Sequence, residues 1–123
     1  MKIHPVFLLF VLLVTACQTS TQSPDSGVEG IVTIGPMCPV VQEGVPCPDQ
    51  PYQAELTILT ESGKKVIQFQ TDEEGSFRIE LAAGDYVLHP ESPSGLPFAT
   101  DIPFTVEEHN FKYLEVIYDS GIR

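Results

Sequence analysis

Apolar and polar residues alternate along two stretches of this chain. In Ser76–Leu81, Phe77, Ile79 and Leu81 share one side while Ser76, Arg78 and Glu80 share the other. In Ile102–Glu107, Ile102, Phe104 and Val106 line up opposite Pro103, Thr105 and Glu107. A period of two with one apolar side marks a strand half buried against a core. Further runs rich in Val, Ile, Thr, Phe and Tyr, which suit a pleated surface, extend the reading to Val28–Ile34, Ala54–Thr60, Lys65–Thr71, Tyr86–His89 and Phe111–Tyr118. No stretch carries a 3.6-residue apolar period long enough for a stable helix. Turn signals recur every ~8–12 residues, the rhythm of an all-β sandwich or barrel.

The short connections carry turn chemistry. Glu61–Lys64, Asp72–Gly75 and Ala82–Asp85 each hold a glycine that a tight hairpin can use at positive φ. Two connections are longer. One, "GPMCPVVQEGVPCPDQPY" over Gly35–Tyr52, contains Cys38, Cys47 and prolines 36, 39, 46, 48 and 51. The other is Pro90–Asp101, "PESPSGLPFATD". There is no internal repeat.

The first residues read as a targeting segment. Lys2 precedes an uninterrupted apolar run, Val6–Val14, too short for the ~20 residues that span a bilayer and of the size of a signal-peptide core. It ends in Val14-Thr15-Ala16-Cys17, which resembles the lipobox of bacterial lipoproteins. That resemblance implies cleavage after residue 16 and a diacylglycerol on the Cys17 sulfur, an anchor to the membrane that does not cross it. Gln18 after the cysteine, rather than Asp, implies the outer membrane if the cell has one. The polar stretch Gln18–Gly27 then reads as a tether. The expected organisation is a signal peptide over 1–16, a lipidated cysteine and tether over 17–27, and one β domain over 28–123.

Charge narrows the partners. Six Lys and Arg against 17 Asp and Glu leave a net charge of −11. Nucleic acid, bound mainly through cations on phosphates, is excluded, and so is adhesion to an anionic lipid surface by charge. Once Cys17 is acylated, an even pair of cysteines remains in an oxidising compartment, so Cys38 and Cys47 are expected to form a disulfide. A soft-metal site made by the two with His89 is the alternative, but C-x₈-C does not match the short ligand knuckles of structural zinc.

Thr71-Asp72-x-x-Gly75-x-Phe77 followed by Leu81-x-x-Gly84-x-Tyr86-x-Leu88 resembles the core signature of carboxypeptidase regulatory-like domains, also called prealbumin-like or Cna-B-like modules. Ala83 stands where family members usually have proline. Physically, Asp72 suits an Asx turn and Gly75 the left-handed residue that closes it, while Phe77, Leu81, Tyr86 and Leu88 belong to the core. The cysteine-loop residues Gly35–Tyr52 and the terminal Asp119–Arg123 are also similar to a set of small exported bacterial proteins built on this module. The resemblance implies a seven-stranded Greek-key sandwich similar to transthyretin; a fold of this kind hosts many functions.

Enzymes on related sandwiches provide contrasts. Hydroxyisourate hydrolases end in Tyr-Arg-Gly-Ser, whereas this chain ends in Ser-Gly-Ile-Arg. Intradiol dioxygenases place two iron-binding histidines close in sequence, whereas His89 and His109 lie far apart. No nucleophile elbow, zincin motif or phosphate loop occurs. The expected function is a non-catalytic interaction or structural module of the cell envelope, without cofactor or metal, facing an unknown envelope protein or glycan. The alternative is a ligand-binding module, either for calcium at Asp72–Glu74 or for sugar on Tyr52, Phe98 and Tyr118.

Counting reversals locates the surface. If each of the seven strands runs opposite to the one before, the cysteine loop, the Asp72–Gly75 turn, Pro90–Asp101 and the tail all fall at the end distal to the tether. That end collects Glu43, Asp49, Asp72, Glu73, Glu74, Glu91, Asp101 and Asp119, with Arg123 expected to fold back onto one of those carboxylates. The candidate interaction surface is therefore Glu43, Asp49, Tyr52, Glu91, Phe98 and Arg123.

Overall fold

The computed structural model describes residues 25–40 and 43–123. The expected signal peptide over 1–16, Cys17 with its lipid, and residues 18–24 of the tether lie outside the described residues. Among those described, no helix is long and apolar enough to cross a membrane. The chain folds into strands β1 (Gly27–Gly35), β2 (Gln50–Pro51), β3 (Glu55–Thr60), β4 (Lys65–Gln70), β5 (Ser76–Glu80), β6 (Gly84–Pro90), β7 (Ile102–Val106) and β8 (Phe111–Asp119).

All seven expected segments are strands, and the architecture is an all-β sandwich of two sheets. The expected count of seven is corrected to eight by β2. This two-residue rung pairs Thr33 with Pro51 and Ile34 with Gln50. It carries no alternation and contains a proline, so nothing local marks it. The cysteine loop is thus tied to the sheet at its C-terminal end.

One sheet is organised around β1. β8 lies parallel to it along its whole length, from Gly27↔Phe111 to Gly35↔Asp119. β5 and β2 share its other edge in succession, both antiparallel. The second sheet has the order β4-β3-β6-β7, all antiparallel. After the β3–β4 hairpin the chain crosses to β5 and returns as β6 beside β3, which is the Greek-key return.

The inward sides meet as the alternation requires. Val28 and Val32 of β1, Phe77 of β5, and Leu114, Val116 and Tyr118 of β8 face Leu56 and Ile58 of β3, Leu88 of β6, and Phe104 and Val106 of β7. Tyr86 is half buried and stacks on Phe104 with ring centroids 5.7 Å apart. Gly63 and Gly75 take φ of 91° and 77°, as their turns demand, whereas Gly84 opens β6. Before β1, Ser26 is already buried, and its hydroxyl donates to the Leu81 carbonyl at 2.7 Å.

The connections sort to two ends. At the end where β1 begins, Gly27 N–H donates to the Asn110 carbonyl and Leu81 N–H to that of Ser26. At the other end, Ser120 N–H donates to the Gly35 carbonyl at 2.9 Å and Phe98 pairs with Asp119. The cysteine loop, the Pro90–Asp101 loop and the tail therefore meet away from the point where the chain enters the domain.

Candidate functional site

Three segments without regular pairing form this distal end, and each is held by specific bonds. Cys38 and Cys47 are joined by a disulfide with Cα atoms 6.3 Å apart, so neither is available as a metal ligand. The start of their loop is tied to the tail, because the Ser120 hydroxyl donates to the Pro36 carbonyl at 2.5 Å. The end of the loop returns over β1, where the Asp49 carboxylate sits against Gly35; a Cβ there would fall 1.9 Å from its Oδ1.

Asp119 joins the other two segments. Its N–H and C=O exchange bonds with Phe98 at 2.7 and 3.0 Å. Its carboxylate receives the Gly121 N–H at 2.9 Å and the Arg123 guanidinium, Nη2 to Oδ2, at 2.9 Å. The Arg123 bond, then that of Gly121, holds the Asp119 carboxyl below the usual carboxylate range. Arg123 thus folds back onto an acidic residue, and its partner is Asp119.

Glu91 serves the base of the Pro90–Asp101 loop. Its Oε1 accepts the Thr57 hydroxyl at 2.7 Å, and its main-chain carbonyl accepts the Tyr118 phenol at 3.0 Å. His89 sits beside it, Nδ1 2.7 Å from Asp101 Oδ1 and Nε2 3.7 Å from Glu91 Oε2. Tyr118 is buried and meets the half-buried Tyr52 edge to face, centroids 4.9 Å apart. Loss of hydration raises its phenol well above the ordinary tyrosine value.

The expected surface residues therefore divide. Phe98, Asp119 and Arg123 come together, as do Glu91, Tyr118 and Tyr52, while Asp49 lies over Gly35 and Glu43 stands on an exposed turn. A sugar platform of Tyr52, Phe98 and Tyr118 is corrected, because Tyr118 packs inside and only Phe98 is freely exposed. Asp72 has its Oδ1 bonded to the N–H groups of Glu74 and Ser76 at 2.9 and 2.8 Å, the Asx turn. Among the described residues no cluster of three His, Cys, Asp or Glu could hold a metal ion.

What charge counting missed is apolar. Met37, Val40 and Val45 on the cysteine loop are 38%, 70% and 56% exposed, and Leu96 on the second loop is 55% exposed, beside the expected Phe98 at 50%. Apolar residues inside proline-rich loops outside any period-two pattern were the available signal. Such side chains, held out from the core on stiffened loops, can form the dry centre of a contact that the surrounding carboxylates rim.

No protein-family model matches the chain, and no curated protein matches it. Solved structures do. The Bacillus anthracis TIE protein is 25% identical with a TM-score of 0.51 over 77% of this chain and 17% of its own. GBS52, the minor pilin of the gram-positive pathogen Streptococcus agalactiae, is 17% identical with a TM-score of 0.55 over 77% of this chain and 44% of its own. The chain thus spans under half of either protein. The likeness is one of fold, an all-β sandwich consistent with the prealbumin-like type.

Proposed function

We propose that this chain is a lipid-anchored, non-catalytic module of the cell envelope, of the carboxypeptidase regulatory-like type, whose distal end binds a partner protein. The observation that carries the reading is the end itself. A disulfide closes the cysteine loop on itself, and the tail holds both long loops, Ser120 bonding the first and Asp119 the second. Five apolar side chains stand exposed on those loops, at the end opposite the entry of the tether. A rigid loop loses little entropy on binding, so its exposed apolar groups contribute more fully to affinity. The signature residues support the family type: Asp72 makes its Asx turn, and Phe77, Leu81 and Leu88 are core. A minor pilin among the solved structures of this shape supports a role at the cell surface.

The test is photo-crosslinking in intact cells. A photoreactive residue at Val40 or Leu96 should capture a discrete partner, and one at Ser62, in the turn beside the tether, should not. Capture at Ser62 alone would overturn the reading. The anchor is tested separately. Cys17→Ser should leave the precursor uncleaved or release the protein from membranes, and a variant that matures and fractionates like wild type would remove the lipid from the proposal.

A further inference from the structure

Every open sheet leaves edges, and an unpaired edge is a template for another strand unless it is shortened, charged or interrupted. Three edges of this sandwich are blunted in those ways. β5 and β2 are five and two residues long, the latter ending in Pro51. β7 contains Pro103, which has no N–H to donate. β4 begins at Lys65 and its register with β3 shifts at Ile58/Leu59.

β8 is neither short, interrupted by proline nor bulged, and its exposed charges are Lys112 and Glu115. It is nine residues long. Its bonds to β1 use the even-numbered residues, since the Asn110 carbonyl receives Gly27 N–H and Ser120 N–H reaches the Gly35 carbonyl. Backbone direction alternates along a strand, so the N–H and C=O groups of Phe111, Tyr113, Glu115, Ile117 and Asp119 point to the open side. Among the described residues, Asp119 alone of these five has a backbone partner there, Phe98, and that bridge is antiparallel. Among the described residues the chain thus occupies one rung of this edge and pairs with none of the next ones.

The side chains around the open rungs have a definite chemistry. Tyr113 and Ile117 are 56% and 60% exposed, and Glu115 stands between them. Phe111 is already covered by the Arg78 guanidinium, 3.5 Å from its ring centroid. Beside the start of β8 lies an open groove of about 360 Å³ lined by Pro103, Phe104, Thr105, Glu107, Asn110 and Lys112. An added strand would send alternate side chains into this seam and the others onto the outer face beside Tyr113 and Ile117.

We infer that the free edge of β8 is a docking site for an extended, basic and apolar segment of a partner protein, which adds an antiparallel strand to the sheet. Main-chain bonds to Tyr113, Glu115 and Ile117 supply the affinity, as in β-strand addition generally. A Lys or Arg of the partner opposite Glu115, flanked by apolar residues, supplies the selectivity. Charge decides against a second copy of this chain, because each copy brings a net −11. This lateral site is separate from the distal loops.

The test uses the full chain and a synthetic peptide, acetyl-Lys-Thr-Val-Lys-Val-Thr-Lys-amide, followed by the amide NMR signals of β8. The peptide should shift the amides of Tyr113, Glu115 and Ile117 and slow their hydrogen exchange. N-methylation of the peptide nitrogens that face β8 removes donors and keeps side chains, and should weaken binding by about tenfold or more. Glu115→Lys should reverse the preference toward the same peptide with Glu in place of Lys. Unchanged β8 amides at millimolar peptide, or shifts confined to the distal loops, would overturn the proposal. So would concentration-dependent protection of the same amides without peptide, which would assign the edge to a second copy.

Discussion

Tyr118, on the last strand of one sheet, donates its phenol hydrogen to the main-chain carbonyl of Glu91 at the end of β6 in the other, at 3.0 Å. The bond closes the distal end of the sandwich, and it explains why a polar ring is buried there. Tyr118→Phe keeps the ring against Tyr52 but leaves a part-buried carbonyl without a partner. Such a loss costs about 1–3 kcal/mol, and the urea midpoint should fall accordingly. An unchanged midpoint would mean that water replaces the phenol at no cost.

Cutting the disulfide should act mainly on the unfolded chain. Closing a loop with a sequence separation of 9 limits the denatured ensemble by about 2.5–3 kcal/mol in the chain-entropy model. The double variant Cys38→Ala, Cys47→Ala should therefore unfold at lower denaturant while the core amides keep their native chemical shifts. Non-reducing mass spectrometry of the protein isolated from cells should first record the loss of two hydrogens, and two free thiols would contradict the bridge.

Two turn glycines separate conformation from contact. A Cβ on Gly63 meets nothing within 4 Å, whereas one on Gly75 would lie 2.2 Å from the Val32 carbonyl oxygen. Gly63→Ala should cost only the left-handed backbone penalty, about 1 kcal/mol. Gly75→Ala adds a clash with a backbone that β1 cannot move, and about 2–3 kcal/mol is expected. Equal losses in thermal unfolding would show that the β4–β5 turn yields.

At the end where β1 begins, His109 Nδ1 pairs with the Asp25 carboxylate, both exposed, with His109 at φ 58°. The hydrogen bond to Asp25 raises the imidazole above its ordinary value, and the same bond to His109 holds Asp25 below its own. The raised histidine contributes stability fully below its unfolded value of about 6.5 and loses it as pH rises through the folded value. The lowered aspartate contributes above about 3.9 and loses it as pH falls through its folded value. The pair is therefore strongest between about pH 4 and 6.5. NMR titration should place His109 above 6.5, and Asp25→Asn should bring it back; an unmoved midpoint would exclude the pair in solution.

How far the residues alone led can be judged at particular positions. The strands around Phe77, Ile79, Phe104 and Val106 were legible because a period of two is local: each side chain takes its face from its neighbours. The Asp72–Gly75 turn was legible for the same reason, since the Asx bonds span only two and four residues. Direction followed from counting reversals, which gave the first and last strands one sense and put the two long loops at one end.

Only the tertiary structure decided which strands became neighbours. That β8 lies parallel against β1, with Gly27 beside Phe111, depends on contacts between opposite ends of the chain, and no local pattern encodes them. The same holds for β2, too short to alternate, and for the fate of each ring. Tyr118 and Phe98 both precede or lie within irregular chain, yet packing of two sheets buries one and a bridge to Asp119 leaves the other at the surface. Composition identified an acidic end, but the exposed Val40, Val45 and Leu96 became a surface only when the sheets closed without them. A side chain's face is a property of its own strand; its burial is a property of what the rest of the chain brings against that face.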